Sequence, residues 1–178
     1  MERIIDGDVV WRPSAEQVEQ SLLMGLIRRF GATDYEDLNA RAEADPAAFW
    51  DGLLAYLEMR FYRPYDAMMD QSPGKPWTRW CVGGTTNAYL NCIEKHKDTP
   101  VWDMTYIDWE GEDGRRRTLS YRQFDEAANR LAAALRRLSV QAGDPVGLFL
   151  PMIPEVFVAF FACAKIGAVN MPLFSGFG

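Results

Sequence analysis

The side chains best suited to chemistry fall into a few short strings. The single histidine, His96, stands between Lys95 and Lys97, outside any clear metal-ligand cluster, and a structural or solvated role is expected for it. With one histidine and no nucleophile elbow, neither a Ser-His-Asp nor a Cys-His assembly is supported. Gly83-Gly84-Thr85-Thr86-Asn87 invites comparison with phosphate loops, because glycines and hydroxyls before a helix present backbone N–H groups to an anion. It lacks the lysine of a Walker loop and does not clearly follow a strand; a glycine turn ending in a Thr or Asn helix cap is expected instead. Arg115-Arg116-Arg117 is the densest basic cluster. In a strand, Arg115 and Arg117 share a face able to bind an acidic group or phosphate, while charge protecting a solvated edge is the simpler account. Phe174-Ser175-Gly176-Phe177-Gly178 follows the carboxyl end of an expected parallel strand, where open α/β sheets place ligands. Its small residues admit a ligand close to the backbone, and a flexible terminus explains them equally well.

The elements that must position these residues follow from composition and period. The 178 residues are 48% hydrophobic, 25% charged and 13% aromatic, a globular composition without an apolar run near the ~20 residues of a helical membrane span. Lys and Arg number 19 against 25 Asp and Glu, a net charge of −6, so no global positive field favours nucleic acid or anionic lipid and any phosphate site is local. Cys81, Cys92 and Cys163 form no CxxC pair, which reads as reduced, buried thiols. The acidic opening MERIIDGDVVW lacks the basic and apolar regions of a secretory signal. A cytoplasmic location is expected.

Ser14 with Gln17 forms a capping box, and Val18, Leu22, Leu23, Leu26, Ile27 and Phe30 predict one helix over about 15–30, ending at Gly31. Asp34 caps a second helix through Ala42; Asp45 and Pro46 open a third carrying Phe49, Trp50, Leu53 and Leu57. Pro64, Pro73, Pro76 and several glycines argue against regular structure from Phe61 to Gly84, while its aromatic residues predict packing along a surface. A short helix follows from Asn87 to about Lys95. Val101–Trp109 and Arg115–Ser120 then read as a hairpin. Ser120 and Gln123 cap a long helix whose buried face is Phe124, Ala127, Leu131, Ala134, Leu135 and Leu138. A strand at Val146–Leu150, a helix at Pro154–Ile166 capped by Gly167, and a strand at Ala168–Leu173 complete a βαβ unit with parallel strands. The chain offers little after that strand, so the sheet is expected to be incomplete.

Ordered strings add a resemblance. Trp80-Cys81-Val82-Gly83-Gly84-Thr85-Thr86-Asn87, then Asn91-Cys92-Ile93-Glu94-Lys95-His96, resembles the Trp-Phe-x-Gly-Gly-x-Leu-Asn and Asn-Cys-x-Asp-Arg-His signature near the start of acetyl-CoA synthetases. Cys81, Thr86, Glu94 and Lys95 depart from it. Trp109-Glu110-Gly111, Thr118-Leu119-Ser120-Tyr121, Gly143-Asp144-Pro145-Val146, Leu150 to Glu155 and Ala162 to Val169 look like that family's later blocks in the same order. Trp11-Arg12-Pro13-Ser14 is similar to its acetoacetyl-CoA synthetase relatives. The resemblance covers residues 11–178.

It implies an AMP-forming acyl-CoA synthetase, which joins ATP, a short carboxylate and CoA into acyl-CoA, AMP and pyrophosphate through an acyl-adenylate. The implied fold is α/β: an N-terminal helical segment, then a β-hairpin and an incomplete βαβ unit of the adenylate-forming N-terminal domain. The implied division is 1–86 for the helical and extended region and 87–178 for the start of the AMP-binding domain. ATP, Mg and CoA are the parent enzyme's implied cofactors. The family's Ser/Thr/Gly-rich ATP loop with its lysine, and the lysine of its smaller C-terminal domain, do not occur in this sequence; Gly83 to Thr86 belong to the early signature and are not that loop. No catalytic or metal-binding residue is therefore expected. Phe174, Ser175 and Gly176 match the opening of the family's Phe-Gly-Gly-Phe-Ser segment, which implies contact with the CoA nucleotide, although Ser175 replaces a glycine and Gly178 a serine. The expectation is the N-terminal portion of a synthetase, inactive alone, whose partner is the remainder of the synthetase chain or a separate C-terminal chain. The other readings are an interaction module, homodimeric across its unfinished sheet, and a weak CoA- or nucleotide-binding domain without catalysis.

Overall fold

The computed structural model describes residues 10–174 and Gly176. The described residues up to Met59, together with Tyr65–Val82, form one compact unit. Its first helix differs from the single helix expected over 15–30: α1 (Ala15–Glu19) ends and α2 (Leu22–Arg29) begins afresh. Ser21 causes the break. Its hydroxyl donates to the Val18 carbonyl (2.7 Å) and accepts from the Met24 N–H (3.2 Å), so a side chain competes with the helical ladder and caps the second piece. The apolar stripe is divided accordingly: Ile27 is buried, while Val18, Leu22 and Leu23 are exposed.

Asp34 caps α3 (Tyr35–Ala44) by accepting the Asp37 N–H, and Asp45 caps α4 (Pro46–Tyr56) by accepting the Ala48 N–H. The Phe30 and Phe49 rings lie 5.2 Å apart. The segment expected to be irregular instead contains an antiparallel pair, β1 (Ala67–Asp70) and β2 (Arg79–Val82), with Met69 opposite Trp80. Strands of four residues are too short to display alternation, and Pro73 and Pro76 fall in the connection, where they cost no ladder bonds. The expected packing of this aromatic stretch is seen at Trp80, whose ring meets Trp50 edge-on at 6.0 Å. Tyr65 donates to the Asp51 carboxylate, a bond that pushes its phenol up to about 12.

Arg60–Pro64 and the described residues from Gly83 onward form the second unit. It contains α5 (Ala88–Cys92), β3 (Thr105–Glu110), β4 (Arg116–Ser120), α6 (Tyr121–Arg137), β5 (Pro145–Leu148), α7 (Pro154–Ile166) and β6 (Val169–Pro172). The hairpin of β3 and β4 pairs Trp109 with Arg117. Its first strand starts later than Val101, because Pro100 opens a 3₁₀ turn through Asp103 that buries Trp102. The βαβ unit forms as expected: β5 and β6 are parallel, Pro145 beside Val169 through Leu148 beside Pro172, with α7 between them in sequence. Gly167 ends α7 at φ 77°, in the left-handed region where glycine carries no Cβ penalty.

The buried face of α6 is turned from the expected one, with Phe124, Ala128 and Ala132 innermost, Leu131 and Leu135 at its margins and Leu138 exposed at the C-cap. Two apolar clusters result. Phe124 and Ala128 join Tyr89, Ile93, Trp102 and Val158; Ala132 joins Leu148, Ala159, Ala162, Cys163, Ile166 and Ala168.

The signature residues Thr86, Asn87 and Asn91 hold the start of this unit together. Asn91 accepts the Arg60 N–H (2.7 Å) and donates to the Arg60 carbonyl (3.0 Å) and the Thr86 hydroxyl (2.9 Å), and that hydroxyl donates to the Arg60 carbonyl (2.7 Å). Asn87 caps α5 by accepting the Tyr89 N–H (2.8 Å) and donates to the Ala164 carbonyl (2.7 Å). Asn91→Ala should cost about 1–3 kcal/mol in urea denaturation, because it strands buried partners. Phe124→Ala, which empties the middle of a cluster, should cost about 3–5 kcal/mol in the same measurement.

Candidate functional site

Because β5 and β6 are parallel neighbours in register, their carboxyl ends open at the same edge of the sheet. The Leu173 N–H donates to the Leu148 carbonyl (3.0 Å), extending the pairing one residue beyond β6. The segment 149–153 follows β5, and Leu173 and Phe174 follow β6. Phe149, Met152 and Phe174 are exposed. A Cβ added at Gly176 would lie 2.7 Å from the Phe174 ring, so the ring covers this glycine and a side chain there would displace it. Phe174 and Gly176 are thus brought together, while Ser175 lies outside the described residues. An exposed ring beside bare backbone can stack on a planar base and admit a polar group to main-chain atoms.

The hairpin grips the 149–153 segment. The Trp109 indole N–H donates to the Met152 carbonyl (2.7 Å), and the Arg117 guanidinium donates to both oxygens of Glu155 (2.6 and 3.2 Å) in the first turn of α7. That pairing holds the Glu155 carboxyl below its ordinary value and raises Arg117. A cavity of 580 Å³ lies between hairpin tip and loop, lined by Trp109, Glu112, Asp113, Arg115, Pro151 and Met152 among others. Arg115 pairs with Asp113 (2.5 Å) and Arg116 with Glu110 (2.7 Å). All three arginines of the basic cluster are therefore matched by carboxylates of this chain, and the shared acidic-group face anticipated for Arg115 and Arg117 is occupied internally.

The Gly83 to Asn87 string also turns inward. Thr85 exchanges backbone bonds with Arg63, the Gly83 carbonyl accepts from the Arg63 guanidinium, and Thr86 and Asn87 are committed as described above. It is a turn and cap. The His96 and Tyr121 rings lie 5.1 Å apart, tilted by 60°, and burial, then Lys95 and Arg60, lower the affinity of His96 for a proton. The cysteines are unbridged: Cys163 is buried, Cys81 half-buried and Cys92 exposed, which departs from the expectation that all would be buried. Among the described residues no group of three His, Cys, Asp or Glu can hold a metal ion, and no helix is long and apolar enough to cross a membrane.

One cluster escaped the sequence reading. Lys165 donates to Glu94 (3.1 Å) and sits 4.0 Å from the centre of the Tyr89 ring, whose hydroxyl donates to Asp125 (2.5 Å). Burial, then Asp125, push the Tyr89 phenol far up. These residues adjoin a cleft of 300 Å³ that Tyr62, Glu94, Arg136 and Lys165 help to line. The partners are separated by 71 residues, too far for spacing to reveal. Arg136 and Lys165 stand in the last turns of α6 and α7, where cations offset the helix dipoles, so the cluster serves stability.

Known proteins match along nearly the whole chain. The family model described as "Acetyl-coenzyme A synthetase N-terminus" matches residues 35–92, and the one described as "AMP-binding enzyme" matches residues 92–178. An acetyl-coenzyme A synthetase of Gemmatimonas aurantiaca is 39% identical over 140 residues, 79% of this chain and 21% of that protein. One from Rhodopirellula baltica is 32% identical over 183 residues, covering 99% of this chain and 26% of its own length. A 3-hydroxypropionyl-coenzyme A synthetase of Metallosphaera sedula is 38% identical, with 81% and 22% covered. The solved acetoacetyl-CoA synthetase from Streptomyces lividans shares the fold at a TM-score of 0.80 and 24% identity, over 97% of this chain and 27% of that one. The chain thus spans about a fifth to a quarter of the length of these relatives. With an acetyl-coenzyme A synthetase N-terminus running directly into the opening of an AMP-binding enzyme domain, the chain belongs to the AMP-binding acyl-CoA synthetase family and corresponds to the N-terminal part of its members.

Proposed function

We propose that this chain is the opening segment of an AMP-forming acyl-CoA synthetase of the acetyl-CoA synthetase branch. In the whole enzyme, a short carboxylate such as acetate attacks the α-phosphorus of ATP, held with Mg²⁺, and pyrophosphate leaves. The CoA thiol then attacks the acyl carbon of the adenylate, and AMP departs. The observation that carries this reading is the unbroken succession of the two family matches across residues 35–178. The division into a region 1–86 and a region 87–178 belongs to the same reading, as does a reducing, cytoplasmic setting for the three unbridged cysteines.

Within that enzyme, the share of this segment is the fold and one CoA-nucleotide contact at Phe174, Ser175 and Gly176. We assign it no catalytic group: Glu94 with Lys165, Tyr89 with Asp125 and Arg117 with Glu155 are bonded to one another. Its partner is the remainder of a synthetase chain. This is favoured by the exposed apolar residues of the parallel pair and its helix, Phe157, Phe160, Val169, Met171 and Leu173, since parallel sheets are covered on both faces. A homodimer across the same residues is the second reading, and sedimentation at several concentrations separates the two: a concentration-independent monomer removes the dimer.

Two assays of the 178-residue chain test the function. ATP–pyrophosphate exchange with acetate should remain at background, and measurable turnover would refute the assignment of chemistry to residues outside this segment. Titration with CoA should give weak saturable binding that Phe174→Ala reduces; binding unaffected by that substitution would remove the assigned contact.

A further inference from the structure

The cleft lined by Tyr62, Glu94, Arg136 and Lys165 holds one positive charge more than it balances. Lys165 is matched by Glu94 (3.1 Å). Arg136 is not: on the same helix Arg122 pairs with Asp103 and Arg130 with Glu126, whereas Arg136 has no ion pair among the described residues. Nor do the helix ends use these cations up as donors. The Leu135 and Arg136 carbonyls accept the Val140 and Ser139 N–H groups, and the Cys163 and Ala164 carbonyls accept those of Ala168 and Gly167. With the last carbonyls of α6 and α7 capped by main chain, the Arg136 guanidinium keeps its fork of donors. The Lys165 ammonium directs one N–H at Glu94 and lies over the Tyr89 ring, which leaves it a further N–H to offer.

Small residues make the space beside these cations. Ala133 lies one helical turn before Arg136 on the same face of α6, and it lines the cleft together with the Ala132 methyl and Tyr62. The walls are held from behind: Asn87 donates to the carbonyl of Ala164, next to Lys165, and Asp125 fixes the Tyr89 hydroxyl. The volume of 300 Å³ is at the lower end of small-molecule sites and exceeds what a bare phosphate fills. We propose that this cleft binds a small phosphate monoester: the phosphate takes the Arg136 fork and the remaining Lys165 N–H, and the organic part lies over Ala133 against Tyr62. Phosphate is the anion that suits a bidentate guanidinium beside an ammonium, and its second negative charge answers the surplus that Glu94 leaves. Lys165 leads through Gly167 into the amino end of β6, whereas Phe174 follows its carboxyl end. The proposal therefore does not rest on the CoA reading of that other end.

Titration of the 178-residue chain at constant ionic strength, followed by the NMR shifts of its backbone amides, tests it with phenyl phosphate, inorganic phosphate and phenol. Phenyl phosphate should saturate a site centred on Arg136 and Lys165, inorganic phosphate should bind more weakly, and phenol should not bind. Arg136→Gln should weaken phenyl phosphate binding about tenfold, the scale of a charge-assisted hydrogen bond. Ala133→Leu places a larger side chain at an exposed position and should block the cleft while the urea midpoint stays at that of the parent. Glu94→Gln frees Lys165 from its carboxylate and should tighten binding about threefold, the scale of an exposed ion pair; damage to the fold cannot tighten binding. Absence of saturation in the parent would overturn the proposal, as would unchanged binding in R136Q or A133L, or weaker binding in E94Q. Inorganic phosphate binding as tightly as phenyl phosphate would overturn the part assigned to Ala133 and Tyr62.

Discussion

Ala132 from α6 and Ala159 and Ala162 from α7 line a seam where side chains no larger than a methyl let the two helices approach closely, and most of the second unit is built on that contact. Large residues are displaced to its ends. Phe124 fills one end with Tyr89 and Trp102, while Leu148 and Ile166 occupy the other. With α7 held by the seam, β5 before it and β6 after it are returned to the same side and in register, which places their carboxyl ends together. The shared strand-end edge is thus a consequence of helix packing at a distance from it. A larger residue at Ala162, fully buried, would have to push α7 away from α6 and shift both strand ends.

Polar groups extend the order that packing begins. Asn87 and Asn91 spend their amides on main-chain atoms of Arg60, Tyr89 and Ala164, joining the start of the unit to the last turn of α7. Lys165, one residue after Ala164, is held by Glu94 and by the face of Tyr89. Buried or half-buried polar side chains are stabilised by being bonded, and the bonds of Asn87 to Ala164 and of Lys165 to Glu94 run between segments some seventy residues apart. Their product is a rigid base for a short parallel pair that contributes few ladder bonds of its own.

Much of this was legible in the sequence. Capping residues placed most helix starts to the residue, because Ser14, Asp34, Asp45 and Ser120 each satisfy a helical N–H locally and need no tertiary partner. Gly167 marked the end of α7 for an equally local reason. Most of the failures were tertiary, the break at Ser21 being the local exception. Ser21 is as ordinary a helix residue as a cap, and only the neighbouring carbonyl of Val18 decided the matter. β1 and β2 define each other across a proline-containing connection, and neither string shows a period alone. The face of α6 rotated toward Ala128 and Ala132 because close approach to α7 rewards small side chains over the leucines that periodicity favours. At the candidate site, the glycine-rich tail was visible as a string, whereas Trp109, 43 residues from Met152, was not.

The charge arrangement limits what the strand end can do. The chain carries a net charge of −6, and Arg115, Arg116 and Arg117, the basic residues nearest the loop, are each spent on a carboxylate. A polyanion such as CoA therefore meets no unpaired arginine of that cluster, and long-range attraction is not this segment's contribution. What remains is short-range: the exposed face of Phe174 and main-chain atoms at Gly176. Such features discriminate by shape and stacking rather than by charge, so the phosphates of a bound nucleotide need cations supplied by residues other than this arginine cluster.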